Sequence, residues 1–284
     1  MDQASQASDG SFGLRFWGVR GSIPTPVGRN LGYGGNTSCV EICARGGGAL
    51  HDDEVLIVDA GSGIRALGAA IAERPQPPST IHIFFTHFHW DHMQGLPFFA
   101  PLFAPQNHVI FHSAHPPREL RAILARQMAT PFFPLDFGSV GAQTEFQQIS
   151  SPQRFGAVTL EMFPLHHPQG SVGYRISEER KAIVYATDHE HGVAAVDRAL
   201  RAVARRADAL IYDAQYTPQE YASRRGWGHS TWKDAVEAAR DAQVGRLILF
   251  HHDPDRDDKA LDAIVAQAQL EFPQTVAARE SMMI

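Results

Sequence analysis

The chain has 284 residues, 44% of them hydrophobic and 20% charged, and a formal net charge of −6. That length holds one large domain or two small ones, and a negative balance without any long basic run argues against a bulk electrostatic grip on nucleic acid. No apolar stretch reaches the roughly 18 residues of a membrane span.

The opening MDQASQASDGS lacks the basic-then-apolar pattern of a signal peptide. Residues 1–11 read as a disordered tail before a single domain over 12–284, in a cytoplasmic protein. Phe12–Val19 alternates like a strand, Gly21–Gly35 is a loop rich in Gly and Pro, and Ser38–Ala44 is a second strand. Cys39 and Cys43, four apart on that strand, are not spaced for a disulfide framework. EVLIVD at 54–59 is an apolar run closing on an aspartate; DAGSG then gives glycines for a tight turn before a helix over Ile64–Ala72. TIHIFF at 80–85 is a buried strand, His108–His112 another, and Arg118–Met128 a helix entered through two prolines. Strands follow at Glu145–Ile149, Val158–Phe163, Ser171–Ser177 and Ala182–Ala186. Beyond them helices at Asp197–Ala207, Lys233–Ala242 and Asp257–Gln269 interleave with strands at Ala209–Asp213 and Arg246–Phe250. The pattern predicts a strand-rich α+β domain with sheets faced by helices.

The 15 histidines occur in clumps. The densest is THFHWDHMQG at 86–95, directly after a buried strand, where ligands tend to collect. On an extended segment His87 and His89 share a face, while Asp91 and His92 fall on the following turn. One imidazole pair and one Asp–His pair suggest two adjacent metals. More ligands must come from other strand ends, and three present them: LHHP at 165–168, TDHEH at 187–191 and FHHDP at 250–254. Asp188 is suited to bridge two cations, since a carboxylate offers two oxygens and offsets their repulsion. In each of the doublets His166–His167 and His251–His252, only one ring can face a given point.

HFHWDH resembles the HxHxDH signature of the metallo-β-lactamase-fold hydrolases, and the likeness extends over nearly the whole chain. VDAGSG resembles the segment whose aspartate supports the site from behind, a role the resemblance gives to Asp59. HPQGSVGYRI resembles the third ligand motif and favours His167 over His166; YATDHE gives the bridge to Asp188; LFHHDP favours His251 over His252. GHST at 228–231 resembles the motif of the phosphodiesterase and RNase Z branch, in which the histidine lies near the scissile phosphate, here His229. WGVRGSIPTP and GGNTSC resemble a subgroup of small bacterial hydrolases of that branch. The implied fold is a four-layer αββα sandwich whose halves are related by a weak internal duplication. The implied ligands are His87, His89 and His167 for one ion, Asp91, His92 and His251 for the other, and Asp188 between them.

The resulting expectation is a hydrolase with two divalent ions, zinc by ligand type, with manganese or iron also compatible. Asp91 would handle the nucleophile's proton and His229 would act as acid or charge clamp. Asn36 and Thr37 in the Gly-rich loop, and Ser230 as N-cap of the helix from Lys233, are candidates for touching substrate. Tyr33, Phe132, Phe133 and Tyr216 either stack on a substrate or belong to the core. A small or cyclic phosphodiester is the expected substrate. The chain has no long basic, glycine-rich arm, and Asp253, Asp255, Asp257 and Asp258 form an acidic loop unsuited to a polyanion. The alternatives are a carboxylic ester or lactone hydrolase and an RNase Z-like endoribonuclease acting on tRNA precursors. A homodimer is compatible with the sequence.

Overall fold

In a computed structural model, which describes residues 12–44, 53–149 and 151–284, two β-sheets lie face to face with helices on both outer sides. The first is built by β1 (Phe12–Gly18), β2 (Cys39–Ala44), β3 (Glu54–Val58), β4 (Thr80–Phe84), β5 (His108–Ser113) and β6 (Gln143–Gln148), in that order. Helix α1 (Ile64–Ala72) crosses from β3 to β4, the single turn α2 (Trp90–Met93) follows β4, and α3 (Pro117–Gln127) crosses from β5 to β6. The second sheet is built by β7 (Gln153–Phe155), β8 (Val158–Leu165), β9 (Ser171–Glu178), β10 (Lys181–Ala186), β11 (Ala209–Asp213), β12 (Leu247–Phe250) and β13 (Thr275–Ala277). Its helices are α4 (Ala194–Val203), the short α5 (Pro218–Tyr221), α6 (Trp232–Ala242) and α7 (Asp258–Glu271).

Each sheet runs through the same succession. β1–β2–β3 and β7–β8–β9–β10 are antiparallel meanders; β3–β4–β5–β6 and β10–β11–β12–β13 are parallel. Parallel neighbours need crossovers, and helices supply most of them. The repeat of meander then parallel units fits the duplication implied by the sequence resemblance.

Period-two alternation sorts the side chains into layers. Leu56 and Val58 of β3, Ile183 and Tyr185 of β10, and Ile248 and Phe250 of β12 fill the space between the sheets. Their neighbours Val55 and Ile57 face α1 and α3, whereas Val184, Leu247 and Leu249 face α4, α6 and α7. Parallel strands covered on both faces read as continuous apolar runs, which is why EVLIV, IVYA and LILF stand out in the sequence.

Some expectations shift. Helix α4 starts at Ala194, three residues earlier than Asp197 (197 − 194), because Asp197 accepts from the Gly192 amide and from His189 inside the first turn instead of capping it. The cap of α6 is Thr231, not Ser230: its hydroxyl accepts from Asp234 N while the Asp234 carboxylate takes the Thr231 amide, a reciprocal arrangement worth about 1 kcal/mol. Strands β7 and β13 are three residues each, too short for alternation to register. The tail expected over 1–11 lies outside the described residues. Cys39 and Cys43 are free buried thiols. No helix among the described residues is long and apolar enough to cross a membrane.

Candidate metal centre

The ends of the parallel strands meet at one rim. Asp59 follows β3, His87 follows β4, His167 follows β8, Asp188 follows β10, Asp213 closes β11 and His251 follows β12. Asp59, Asp188 and His251 have φ of 61°, 55° and 59°, in the left-handed region that costs a side-chain-bearing residue strain. Such a bend stops the strand and turns the next side chains across its end. The VDAGSG turn then docks on the HFHWDH run backbone to backbone: Ala60 N donates to His92 O at 2.7 Å, and Gly95 N to Ala60 O at 3.0 Å. A Cβ on Gly61 would fall 2.3 Å from the Asp91 carbonyl oxygen, so glycine is required there.

Two sets of possible ligands converge on Asp188, and a third groups Asp188 with Asp213, His229 and His251. His87, His89 and His167 bring three nitrogens together, with His167 Nε2 3.0 Å from His89 Nδ1. Asp91, His92, His251 and Asp188 form the second set. There His251 Nε2 is 3.0 Å and His92 Nε2 3.4 Å from Asp91 Oδ2. Asp188 reaches both sets: its Oδ1 is 3.7 Å from both His87 Nε2 and His167 Nε2, and its Oδ2 is 3.1 Å from His92 Nε2. Ligands about 2.0–2.2 Å from one ion at tetrahedral angles stand roughly 3.3–3.6 Å from each other, so separations of 3.0–3.7 Å leave room for shared coordination.

The far side of each ring is held by a partner that fixes which nitrogen faces inward. His92 Nδ1 bonds Asp59 at 2.9 Å, His167 Nδ1 the Gly228 carbonyl at 2.7 Å, His251 Nδ1 the Gln215 amide oxygen at 2.9 Å, and His89 Nε2 the Gln169 amide oxygen at 2.7 Å. His87 Nδ1 meets Thr86 Oγ1 at 3.0 Å. The inward Nε2 of His87 is buried without a hydrogen-bond partner in the protein, while that of His92 faces Asp188 Oδ2 at 3.1 Å. Gly228 has φ of +91°, and a Cβ there would lie 2.2 Å from His167 Nδ1, which accounts for the glycine of GHST.

Charge follows the same logic. Burial disfavours a proton on His92, but Asp188, Asp91 and Asp59 outweigh it and hold the ring well above its ordinary pKa. His251 is lifted to about 9 against its own burial, chiefly by Asp188 and the bond to Asp91. Burial would raise Asp188, yet His251, His92 and His87 pull it well below the carboxylate range. The cluster is thus two carboxylates that hold positive charge between them, and divalent ions would take over the role of those protons. An orphaned inward nitrogen, oriented outward ones and mixed His/Asp donors fit a pair of divalent ions.

His229 sits beside both sets. Its ring stacks on His251 at 4.8 Å, its Nδ1 bonds Asp213 at 2.7 Å, and it lines a cavity of about 410 Å³ with Ser22, Tyr216, Arg224 and Trp227. Asp213 also accepts from the amides of Asp188, Gln215 and Ser230. The sequence reading passed over Asp213, although IYD ends a strand on an aspartate just as IVD does. It also passed over Thr86, Gln169 and Gln215, which carry no signal beyond position.

Other candidates lie elsewhere. His166 is exposed and its Nδ1 bonds the Glu190 carbonyl; His252 turns behind the strand, bonds Ala278 O at 2.9 Å, and is pushed by burial to a pKa of about 3. Thr37 is fully buried, its hydroxyl taken by Ser62 N and Gln94, and the Asn36 amide oxygen accepts from Ser62 Oγ, so both brace the turn at 60–64 rather than face substrate. Ser230 is also fully buried and donates to His189 O at 2.6 Å. Tyr33 and Tyr216 are buried, whereas Phe132 is 74% exposed.

Residues 55–252 match the family model of the beta-lactamase superfamily domain. Ribonuclease Z of Thermoplasma volcanium is 23% identical over 311 aligned positions, covering 94% of this chain and 95% of that protein. Among solved structures, the metallo-β-lactamase-fold protein YhfI from Bacillus subtilis superposes with a TM-score of 0.69 at 16% identity, covering 96% of this chain and 98% of that one. A diphosphatase from the PhnP family superposes at 0.66 and 17% identity, covering 96% and 97%.

Proposed function

This chain belongs to the beta-lactamase superfamily, and from that membership we propose that it is a two-metal phosphodiesterase acting on small or cyclic phosphodiesters. His87, His89 and His167 would hold one ion, Asp91, His92 and His251 the other, and Asp188 would join them; zinc suits this donor set. Two such ions, when bound, polarise phosphoryl oxygens and bring a water's pKa toward neutrality.

The observation that carries the phosphodiester assignment is the His229–Asp213 pair. Asp213 engages His229 Nδ1 at 2.7 Å, which leaves Nε2 to donate a proton to a departing alkoxide or phenoxide. A phosphodiester needs that proton because its leaving oxygen carries charge as the P–O bond breaks. Asp91 has a different task. Its Oδ2 receives the Ser22 amide at 2.7 Å and faces His92 and His251, so Oδ1 is left to take the nucleophile's proton.

A second reading is RNase Z-like cleavage of tRNA precursors. It is supported by the full-length similarity to the Thermoplasma ribonuclease Z. It is also supported by the fate of the acidic loop. Asp257 caps α7, Asp258 accepts from the Gly32 and Tyr33 amides, and Arg20 and Arg224 lie within 4.0 and 3.8 Å of Asp258 and Asp253. Those carboxylates repel a polyanion less than their number suggests.

Zinc-loaded and manganese-loaded protein should be tested on bis-p-nitrophenyl phosphate, 2′,3′- and 3′,5′-cyclic nucleotides, a tRNA precursor, and carboxylic esters and lactones. Turnover of small diesters above all others is expected. Precursor cleavage as the dominant activity selects the second reading, and dominant ester or lactone turnover sinks both.

A further inference from the structure

The ligand run has a second face. While His87, His89, Asp91 and His92 turn to the metal centre, Phe88, Trp90 and Met93 line a cleft of about 290 Å³ whose opposite wall is Ile123 of α3 and Phe132. A smaller cleft, lined by His87 and His89, shares Phe88 and Ile123 with it, so the apolar cleft adjoins the first set of candidate ligands. Two of its aromatic walls are bare: Trp90 is 65% and Phe132 74% exposed. Exposed aromatic rings side by side next to a candidate reaction centre offer faces on which a planar ligand can stack.

Two polar groups break the apolar lining. Gln127 is 8% exposed; its Nε2 donates to Met93 O at 2.7 Å, and its Oε1 is buried without any partner in the protein. A buried acceptor left empty costs about 1–3 kcal/mol, which a ligand N–H recovers. Arg126, one residue earlier on α3, also lines the cleft and is exposed. Flat apolar walls with an acceptor and a set of N–H donors side by side match one chemistry, the heterocyclic base of a nucleotide.

We propose that this cleft is a nucleobase subsite: the base of a nucleotide phosphodiester stacks on Trp90 and Phe132 and gives an N–H to Gln127 Oε1 while its phosphate lies at the metal centre. The inference rests on the phosphodiesterase reading for the phosphate but not for the base. It makes the Trp90–Phe132 walls, rather than the metal ligands, the source of selectivity among diesters. The leaving group lies away from this cleft, toward His229.

Two measurements test it, one of them independent of turnover. Binding of adenosine and thymidine, which carry no phosphate, is followed by tryptophan fluorescence and calorimetry in the wild type and in Phe132→Ala. Saturable binding with quenching in the wild type, weakened about tenfold in the variant, is expected. No nucleoside binding at millimolar concentration overturns the subsite even if diesters are hydrolysed. Conversely, nucleoside binding without diester hydrolysis keeps the subsite and overturns the phosphodiesterase reading. In the kinetic arm, thymidine 5′-(p-nitrophenyl) phosphate is compared with methyl p-nitrophenyl phosphate. Phe132→Ala and Trp90→Phe,Phe132→Ala should lower the ratio of their kcat/KM values by about tenfold, mainly through KM of the nucleotide ester. A fall shared equally by both esters, with unchanged thermal unfolding, overturns the proposal. Both side chains are solvent-exposed, so the substitutions leave the core intact.

Discussion

Two groups of buried histidines behave in opposite ways. Around the candidate metal centre, His92 and His251 face carboxylates that lift both rings against their burial, and each has its outer nitrogen held by a hydrogen-bond partner. Deeper in the sandwich, His82 of β4 and His112 of β5 touch each other at 2.9 Å, and His112 stacks on Phe84 at 4.3 Å beside Phe155. Among the described residues no ion pair reaches the His112 ring, and His82 meets Glu54 only at 4.0 Å. Burial therefore lowers the pKa of His82 to about 4 and of His112 to about 3, while the carboxylates lift His251 to about 9. Proximity and burial are common to both groups. What distinguishes a metal centre is inward lone pairs that converge, outer nitrogens that are pinned, and negative charge to balance the ions.

The contrast can be broken from its strong end first. Asp188→Ala removes the carboxylate that both ligand sets face. Metal content by plasma mass spectrometry should fall, and diester turnover should drop roughly 10³-fold; retention of two ions with full activity would remove Asp188 from the bridging role. His229→Ala should keep both ions and lose about 10²-fold in kcat; unchanged turnover would remove His229 from the acid role. Asp59→Asn leaves the ligands in place but weakens the acceptor behind His92. A loss of about tenfold in metal affinity, read by competition with a chromophoric chelator, is expected.

The core pair acts on stability and not on turnover or metal binding. His82 and His112 take up protons less readily folded than unfolded, so the unfolded chain binds more protons as pH falls below about 6.5. Each costs stability at about 1.4 kcal/mol per pH unit in that window, and the loss levels off below the folded values near 4 and 3. Urea unfolding at pH 7.5 and 5.0 should show a shallower decline in His112→Leu than in the wild type. Equal declines would mean that the pair is not shielded as its surroundings imply.

Much of this was legible because it is local. A strand ending in HFHWDH states its own chemistry: the spacing fixes which side chains share a face, and the preceding apolar run fixes where they stand. The strands buried on both faces were equally plain. The fate of individual hydroxyls and amides was not. Thr37 and Ser230 sit in motifs that look like pocket lining, yet each is used to hold one loop against another. Asp213 reads as the last letter of a strand and becomes the partner of His229 only because β11 lies between β10 and β12.

The sequence by itself determined the donor types, their spacing within each loop and the strands they follow, since these depend on backbone periodicity and side-chain chemistry within a few residues. Only the tertiary structure decided which ring of each histidine doublet turns inward, which partner pins it, and that Phe88, Trp90 and Met93 open a second cleft against α3. Those choices depend on the left-handed bends at Asp188 and His251 and on packing between segments far apart in the chain, and neither leaves a periodic trace in the residues themselves.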